Sequence, residues 1–452
     1  MENLFKLSER GTNVKTEVIA GVTTFMTMAY ILAVNPNILG VTGMDSGAVF
    51  TATALASAIA SVCMALFANL PFALSAGMGL NAYFAYTVVL TMGYSWQVAL
   101  AAVLVEGLIF IVLSLTNVRE AIFNAIPVTL KLAVSVGIGL FICFIGLQNA
   151  KIVVDGATLV GLFSFKTALD DGTFWSAGIT VILAMIGTLV TAFLVIKKIK
   201  GNILLGILIT WVLGILCQLA GLYVPDPDAG LYSVIPSAIV GTPASISSTF
   251  LQFDFQSAPV MEFIVIVFAF LFVDIFDTLG TLIGCASKAD MLDEEGKLPK
   301  IRGALLADSV GTTVGACLGT STITTFVESS AGVAEGGRTG LTAVVTGGLF
   351  ILSLFLSPLF LTIPSFATAP ALIVVGFFMM QQVKKIEWED ALVAIPAFIC
   401  ITSMAFMYSI SEGIAFGIIS YSVLHLCAGK GKKVSPLMYV LTVIFILKYA
   451  LI

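Results

Sequence analysis

Charge is scarce in this chain. Asp, Glu, Lys and Arg together make up 10% of its 452 residues, there is one histidine, and the formal net charge is −5. Soluble domains carry roughly a quarter charged residues, so a chain that is 59% hydrophobic and this poor in charge is not one of them. Lys and Arg form no dense tract, which removes nucleic acid as a partner. Cysteine is sparse too. Cys63, Cys143, Cys217, Cys285, Cys317, Cys400 and Cys427 lie in or beside apolar runs and read as small packing residues, with no disulfide framework or metal-binding pair. No cofactor is expected, and His425, beside Lys430 at the end of an apolar run, reads as interfacial rather than as a proton relay. The start, MENLFKLSERGTNVKTEVIAG, lacks a small-residue cleavage site, so the first span is expected to act as its own insertion signal.

Long apolar runs are what the chain has in quantity, and they make it a polytopic protein of the lipid bilayer. They lie at about 18–36, 49–70, 73–91, 97–115, 129–147, 174–196, 203–221, 262–284, 303–319, 322–337, 340–362, 366–382, 391–408 and 411–427, fourteen spans in all. Lys6, Arg10 and Lys15 precede span one; Arg119 and Lys131 follow span four; Lys197, Lys198 and Lys200 follow span six; Lys297, Lys300 and Arg302 follow span eight. Arg338, then Lys384 and Lys385, then Lys430, Lys432 and Lys433 follow spans ten, twelve and fourteen. Every second loop is basic, which sets a cytoplasmic N-terminus in a cell (plasma or inner) membrane. The long loop before span eight has aspartates and no Lys or Arg, as an outside loop should. The last segment, PLMYVLTVIFILKYALI, is nearly long enough to span; Lys448 and the missing flank favour the interface. Seven spans per half permit two inverted repeats, and LASAIASVCMALF in span two and LADSVGTTVGACL in span nine share a small-residue pattern.

Spans three and ten, LPFALSAGMGLNAYFAY and LGTSTITTFVESSAGVAEGG, are irregular at equivalent places in the two halves. Glycines 77, 79, 319 and 332 weaken a helix there and leave backbone groups that only enclosing protein can satisfy. Paired interruptions of this kind point to a transporter's midplane site, although small residues also serve close helix packing. Packing does not explain Glu328. The other ionisable groups within spans are Glu106, Asp274, Asp277 and Asp308, each costing roughly 2.5–3.5 kcal/mol or more at the bilayer centre. Asp274 and Asp277, with Thr278 and Thr281, make a polar stripe on span eight that Glu328 could face. Two carboxylates beside exposed backbone suit a flat polar heterocycle, whose ring N–H groups donate to the acids and whose carbonyls and bare nitrogens accept from main-chain N–H. A cation is the rival ligand. An anion exchanger or channel would be better served by positive charge. An intramembrane aspartyl protease needs two facing acids, which Asp274 and Asp277, three apart on one helix, do not provide.

GVTTFMTMAYILAVNP, VFTATALASA, GMGLNAYFAY, FDTLGTLIG, ALLADS and GTSTITTFVESSAGVAEGGRTG, in this order over nearly the whole chain, resemble the AzgA-like purine permeases of the nucleobase–cation symporter-2 family. The resemblance implies an all-α membrane fold of fourteen spans in two inverted seven-span repeats, with short antiparallel strands in broken spans three and ten. It implies a core domain (1–116 and 262–362), a gate domain (117–222 and 363–428) and an apolar C-terminal segment (429–452). It further implies uptake of guanine, hypoxanthine or adenine driven by protons, with sodium as the alternative ion and a homodimer left open. By motif, Asp277 and Glu328 resemble the substrate-holding carboxylates, Asp308 an acid linked to proton coupling, and Asn81 a polar residue near the span-three strand. Thr281 stands where related uracil and xanthine permeases carry other polar residues. In this reading Ala76, Gly77 and Ser329 complete the substrate site, with the Glu328 and Ser329 N–H groups free to donate, and Asp277, Asp308 and Glu328 carry the coupled proton.

Overall fold

A computed structural model describes residues 2–116, 126–156, 159–227, 230–289, 291–292 and 298–451; Arg119 and Lys297 lie outside them. Among the described residues, ten helices are long and apolar enough to cross a membrane: Val14–Gly40, Ser46–Phe67, Trp96–Leu115, Val128–Asn149, Phe174–Ile196, Asn202–Leu219, Val260–Ala286, Gly340–Leu361, Ser365–Lys385 and Ile410–Cys427. Ile301–Leu318 and Ala391–Phe406 are further apolar helices. The protein is a multi-pass, mostly helical membrane protein.

The first, third and tenth apolar runs are not continuous helices. The first breaks between Val14–Met28 and Ile31–Gly40, leaving Ala29 and Tyr30 at the junction. The third opens with strand β1 (Leu74–Ala76), continues as the short helix Met78–Ala82 and loosens into a π-helix, Tyr83–Thr91. A hairpin of β2 (Val153–Gly156) and β3 (Leu159–Leu162) follows the Val128–Asn149 helix, an element with no counterpart in the sequence reading. The tenth run holds β4 (Ile323–Thr325) and the short helix Ser329–Ala334.

β1 and β4 pair antiparallel, Leu74 opposite Thr325, Ser75 opposite Thr324 and Ala76 opposite Ile323. Beyond the ladder, Gly77 N–H donates to the Thr322 carbonyl and Phe326 N–H to the Ala73 carbonyl, both at 3.0 Å. Thr and Ile favour the extended backbone that this pairing needs. All six strand residues are buried, so the two interruptions satisfy in each other the main-chain groups that lipid could not.

Helix packing falls into two sets. In one, Gly340–Ser353 and Ile301–Leu318 pack on Ser46–Phe67, and Ile301–Leu318 also packs on Trp96–Leu115. In the other, Val128–Asn149 packs on Ser365–Met380 and on Ala391–Phe406, and Ile179–Ile196 packs on Asn202–Leu219. Lys200, just before Asn202–Leu219, forms an ion pair with Glu335, just after Ser329–Ala334.

The C-terminal helix, Pro436–Leu451, does not lie across the end of the bundle as an interfacial segment would. It runs antiparallel along Ile410–Cys427. Tyr439 donates to the Gly431 carbonyl (3.0 Å), Thr442 to Ser422 (2.8 Å), and Tyr449 reaches Glu412 at the far end. A buried hydroxyl pair at mid-length and apolar packing of Phe445 on Phe268 reward this lengthwise contact. Lys448 therefore did not decide its placement.

Close approach of backbones holds the second set. A Cβ on Gly376 would lie 2.5 Å from the Gly139 carbonyl oxygen and 2.7 Å from Cys143 Cβ. Small residues of this kind drive helix association where the hydrophobic effect between helices is absent. Gly376→Ala is expected to destabilise the protein by about 1–3 kcal/mol through overpacking. A lowered unfolding temperature in detergent is the readout; an unchanged one would mean that the helices separate at no cost.

Candidate functional site

The three interrupted segments meet. The residue that starts each short helix after a strand is the natural place for chemistry, because the first N–H groups of a helix have no partner within it. Gly77 precedes Met78–Ala82, and Glu328 precedes Ser329–Ala334. A Cβ on Gly77 would lie 2.8 Å from Thr324 Oγ1 and 3.3 Å from Asp277 Oδ2, so only glycine lets the Val260–Lys288 helix bring its carboxylate this close to the strands. Thr324 Oγ1 in turn sits 3.4 Å from Asp277 Oδ2.

Asp277 and Glu328 keep partial exposure, whereas Asp274, Asp308 and Glu106 have none. Asp277 and Glu328 lie within electrostatic reach of one another. Thr281, one turn beyond Asp277, is half-buried, and Ala76 is the buried last residue of β1. Asn81 accepts from the Ser321 hydroxyl through Oδ1, and among the described residues nothing accepts from its buried Nδ2.

Ser329 departs from expectation. Its hydroxyl accepts from Ala73 N–H at 3.0 Å, and its own N–H donates to the Phe326 carbonyl at 3.1 Å. The turn that leads from β4 into the helix uses that N–H, so Ser329 fastens the half-helix to span three and has no main-chain donor left for a ligand. The other end of this helix is tied down as well. Arg338 Nη1 donates to the Val333 and Gly337 carbonyls, both at 2.8 Å, while the buried Glu17 carboxylate accepts from Arg338 N–H (2.8 Å) and Thr342 Oγ1 (2.6 Å).

Asp308 and Asp274 meet behind Asp277. Thr278 Oγ1 lies 2.7 Å from Asp274 Oδ1 and 2.8 Å from Asp308 Oδ1. One hydroxyl thus links the two acids. Glu106 accepts from Thr322 Oγ1 at 2.7 Å, and the Thr322 carbonyl holds Gly77 N–H, so this carboxylate braces the strand crossing from span four.

Tyr30 was missed by sequence reasoning. Its hydroxyl donates to Glu328 Oε1 at 2.7 Å. A tyrosine followed by Asn35 within an apolar run was the available signal, weaker than a carboxylate because a buried aromatic ring costs a membrane nothing. Asn35 supports the same region, donating to Thr53 Oγ1 (2.7 Å) and Thr320 Oγ1 (2.9 Å).

A model of the permease family, Xan_ur_permease, matches residues 15–416. The chain is 44% identical to the guanine/hypoxanthine permease PbuG of Bacillus subtilis over 461 residues, covering 99% of each chain. It is 41% identical to the adenine permease AdeP of Escherichia coli over 452 residues, covering 100% of this chain and 96% of that one. Among solved structures it resembles the transmembrane domain of the cyanobacterial bicarbonate transporter BicA, with a TM-score of 0.63 at 17% identity over 90% of this chain and 97% of that one. Murine Slc26a9, an anion transporter in the inward-facing state, matches with a TM-score of 0.62 at 11% identity over 92% of this chain and 68% of that one. At such identities the two structures speak for the fold alone.

Removing the Ser329 hydroxyl leaves the buried Ala73 N–H without its partner. Ser329→Ala is therefore expected to cost about 1–3 kcal/mol of stability. Thermal unfolding of the purified variant checks this, and a wild-type transition would show that the hydroxyl does not hold the strand.

Proposed function

The chain belongs to the permease family of nucleobase–cation symporter-2 proteins and is a transporter, not an enzyme; from that premise we propose that it imports purine nucleobases, guanine, hypoxanthine or adenine, by proton symport. Asp277 and Glu328, two half-buried acidic residues flanking a buried crossing of broken spans, carry this reading. Ring N–H groups of the base donate to the two acids. Gly77 keeps the backbone of span three open beside Asp277, and Asn81 Nδ2 offers a buried donor nearby. Thr281 extends the polar face of span eight, while Ala76 and Ser329 hold the strand and the half-helix in register.

We further propose fourteen spans in two inverted repeats, with the core domain (1–116, 262–362) carrying the site and the gate domain (117–222, 363–428) forming the surface against which it moves in alternating access. The two sets of packed helices support that division. The N-terminus is cytoplasmic in the cell membrane, on the alternation of basic loops. Asp308 takes part in coupling: the Thr278 hydroxyl links it to Asp274, and it lies within electrostatic reach of Asp277. Two acids at the centre speak against an anion substrate.

Uptake of labelled hypoxanthine into proteoliposomes, with and without an inward proton gradient, tests the whole reading; no uptake under either condition would sink it, and uptake that follows sodium alone would replace the ion. Asp277→Asn and Glu328→Gln are each expected to weaken binding by about 1.5–3 kcal/mol, the worth of a hydrogen bond to a charged group. Wild-type affinity in either variant would remove that residue from the site. Asp308→Asn should spare equilibrium binding more than concentrative uptake. Parallel loss of both would place Asp308 in the binding site and not in coupling.

A further inference from the structure

We propose that Tyr30 is a positioning residue for the transported base, acting through Glu328; this rests on the reading that Glu328 meets the substrate. Tyr30 stands at the break in span one, between Val14–Met28 and Ile31–Gly40, and is 1% exposed. From there a single side chain touches both other interrupted segments. Its hydroxyl donates to Glu328 Oε1 at 2.7 Å and lies 3.5 Å from Met78 Sδ, the first residue of the half-helix after β1. Its ring lies 6.4 Å from that of Phe326, whose N–H closes the ladder on the β4 side. A second contact from the same break reaches the Glu328 main chain, with Thr27 Oγ1 3.4 Å from its carbonyl oxygen.

A glutamate has three side-chain torsions, and a carboxylate that swings on them presents its lone pairs in many planes. A flat base needs the acceptor in its own plane. The buried tyrosine restricts that freedom: its hydrogen bond anchors Oε1, so the remaining lone pairs of the carboxylate meet a ring N–H from a limited range of planes. The rigid ring is held by the helix break, so the geometry is set before the base arrives.

The test compares the purified full chain with Tyr30→Phe, Glu328→Gln and the double variant. The phenylalanine keeps the ring and its packing and removes only the donor. Hypoxanthine binding should weaken about tenfold in Tyr30→Phe, because the carboxylate is no longer held in the orientation the base needs, while the variant still folds. In the Glu328→Gln background the same replacement should cost nothing further. In infrared difference spectra the Glu328 carboxyl band, identified by its disappearance in Glu328→Gln, should shift in Tyr30→Phe. Wild-type affinity in Tyr30→Phe, an equal loss in both backgrounds, or an unshifted band each overturns the proposal. Unchanged binding in Glu328→Gln itself overturns the assignment of Glu328 instead, which keeps the two failures apart. Should Tyr30→Phe not fold, a ring-fluorinated tyrosine at position 30, which strengthens the donor, must move the same band, and an unmoved band again overturns the proposal.

Discussion

Inside a membrane a polypeptide that leaves the helix must find partners for its N–H and C=O groups within the protein, and the pairing of β1 with β4 is how this chain does so. Three residues from each strand, extended by the Gly77–Thr322 and Phe326–Ala73 bonds, bring segments almost 250 positions apart into one ladder. Much of the rest of the architecture serves that crossing. Ser57 and Ser61 of the second apolar helix bond to Ser75 and Leu74, Thr312 of the ninth to Ile323, Ser329 to Ala73, and Glu106 to Thr322. Four elements therefore lend side chains to a sheet too short to be stable alone.

The acids divide by what surrounds them. Glu17 and Glu106 are buried and accept from the protein, Glu17 at the head of the Gly340–Ser353 helix and Glu106, through Oε2, on the strand crossing. Both brace the backbone. Asp274 and Asp308 are joined through the Thr278 hydroxyl. Asp277 and Glu328 are half-buried residues at the edges of the crossing. A carboxylate in the membrane is costly wherever it lies, yet only its neighbours distinguish a brace from a ligand group.

Glycine plays two separate parts. At Gly376 and Gly139 its absence of a side chain lets two helices touch through their backbones. At Gly77 the same absence admits the Asp277 carboxylate to the strand end. The letters are identical, and the neighbouring sequence gives little to separate packing from function.

Membrane class, the order of apolar runs, the irregularity of spans three and ten and the candidates Asp277, Glu328 and Asp308 were legible in the sequence, because hydropathy and the cost of a buried charge are local properties of composition. The break at Tyr30, the π-helix after Ala82, the lengthwise docking of Pro436–Leu451 and the engagement of the Ser329 N–H were not. Each depends on which distant group supplies a partner. Tyr30 gains its polar partner only because Glu328, 298 positions away, comes within 2.7 Å of its hydroxyl. Hydrophobic pattern and turn chemistry act between near neighbours in the chain and so can be read from it, whereas the satisfaction of buried polar groups acts between neighbours in space, and only the folded molecule decides those.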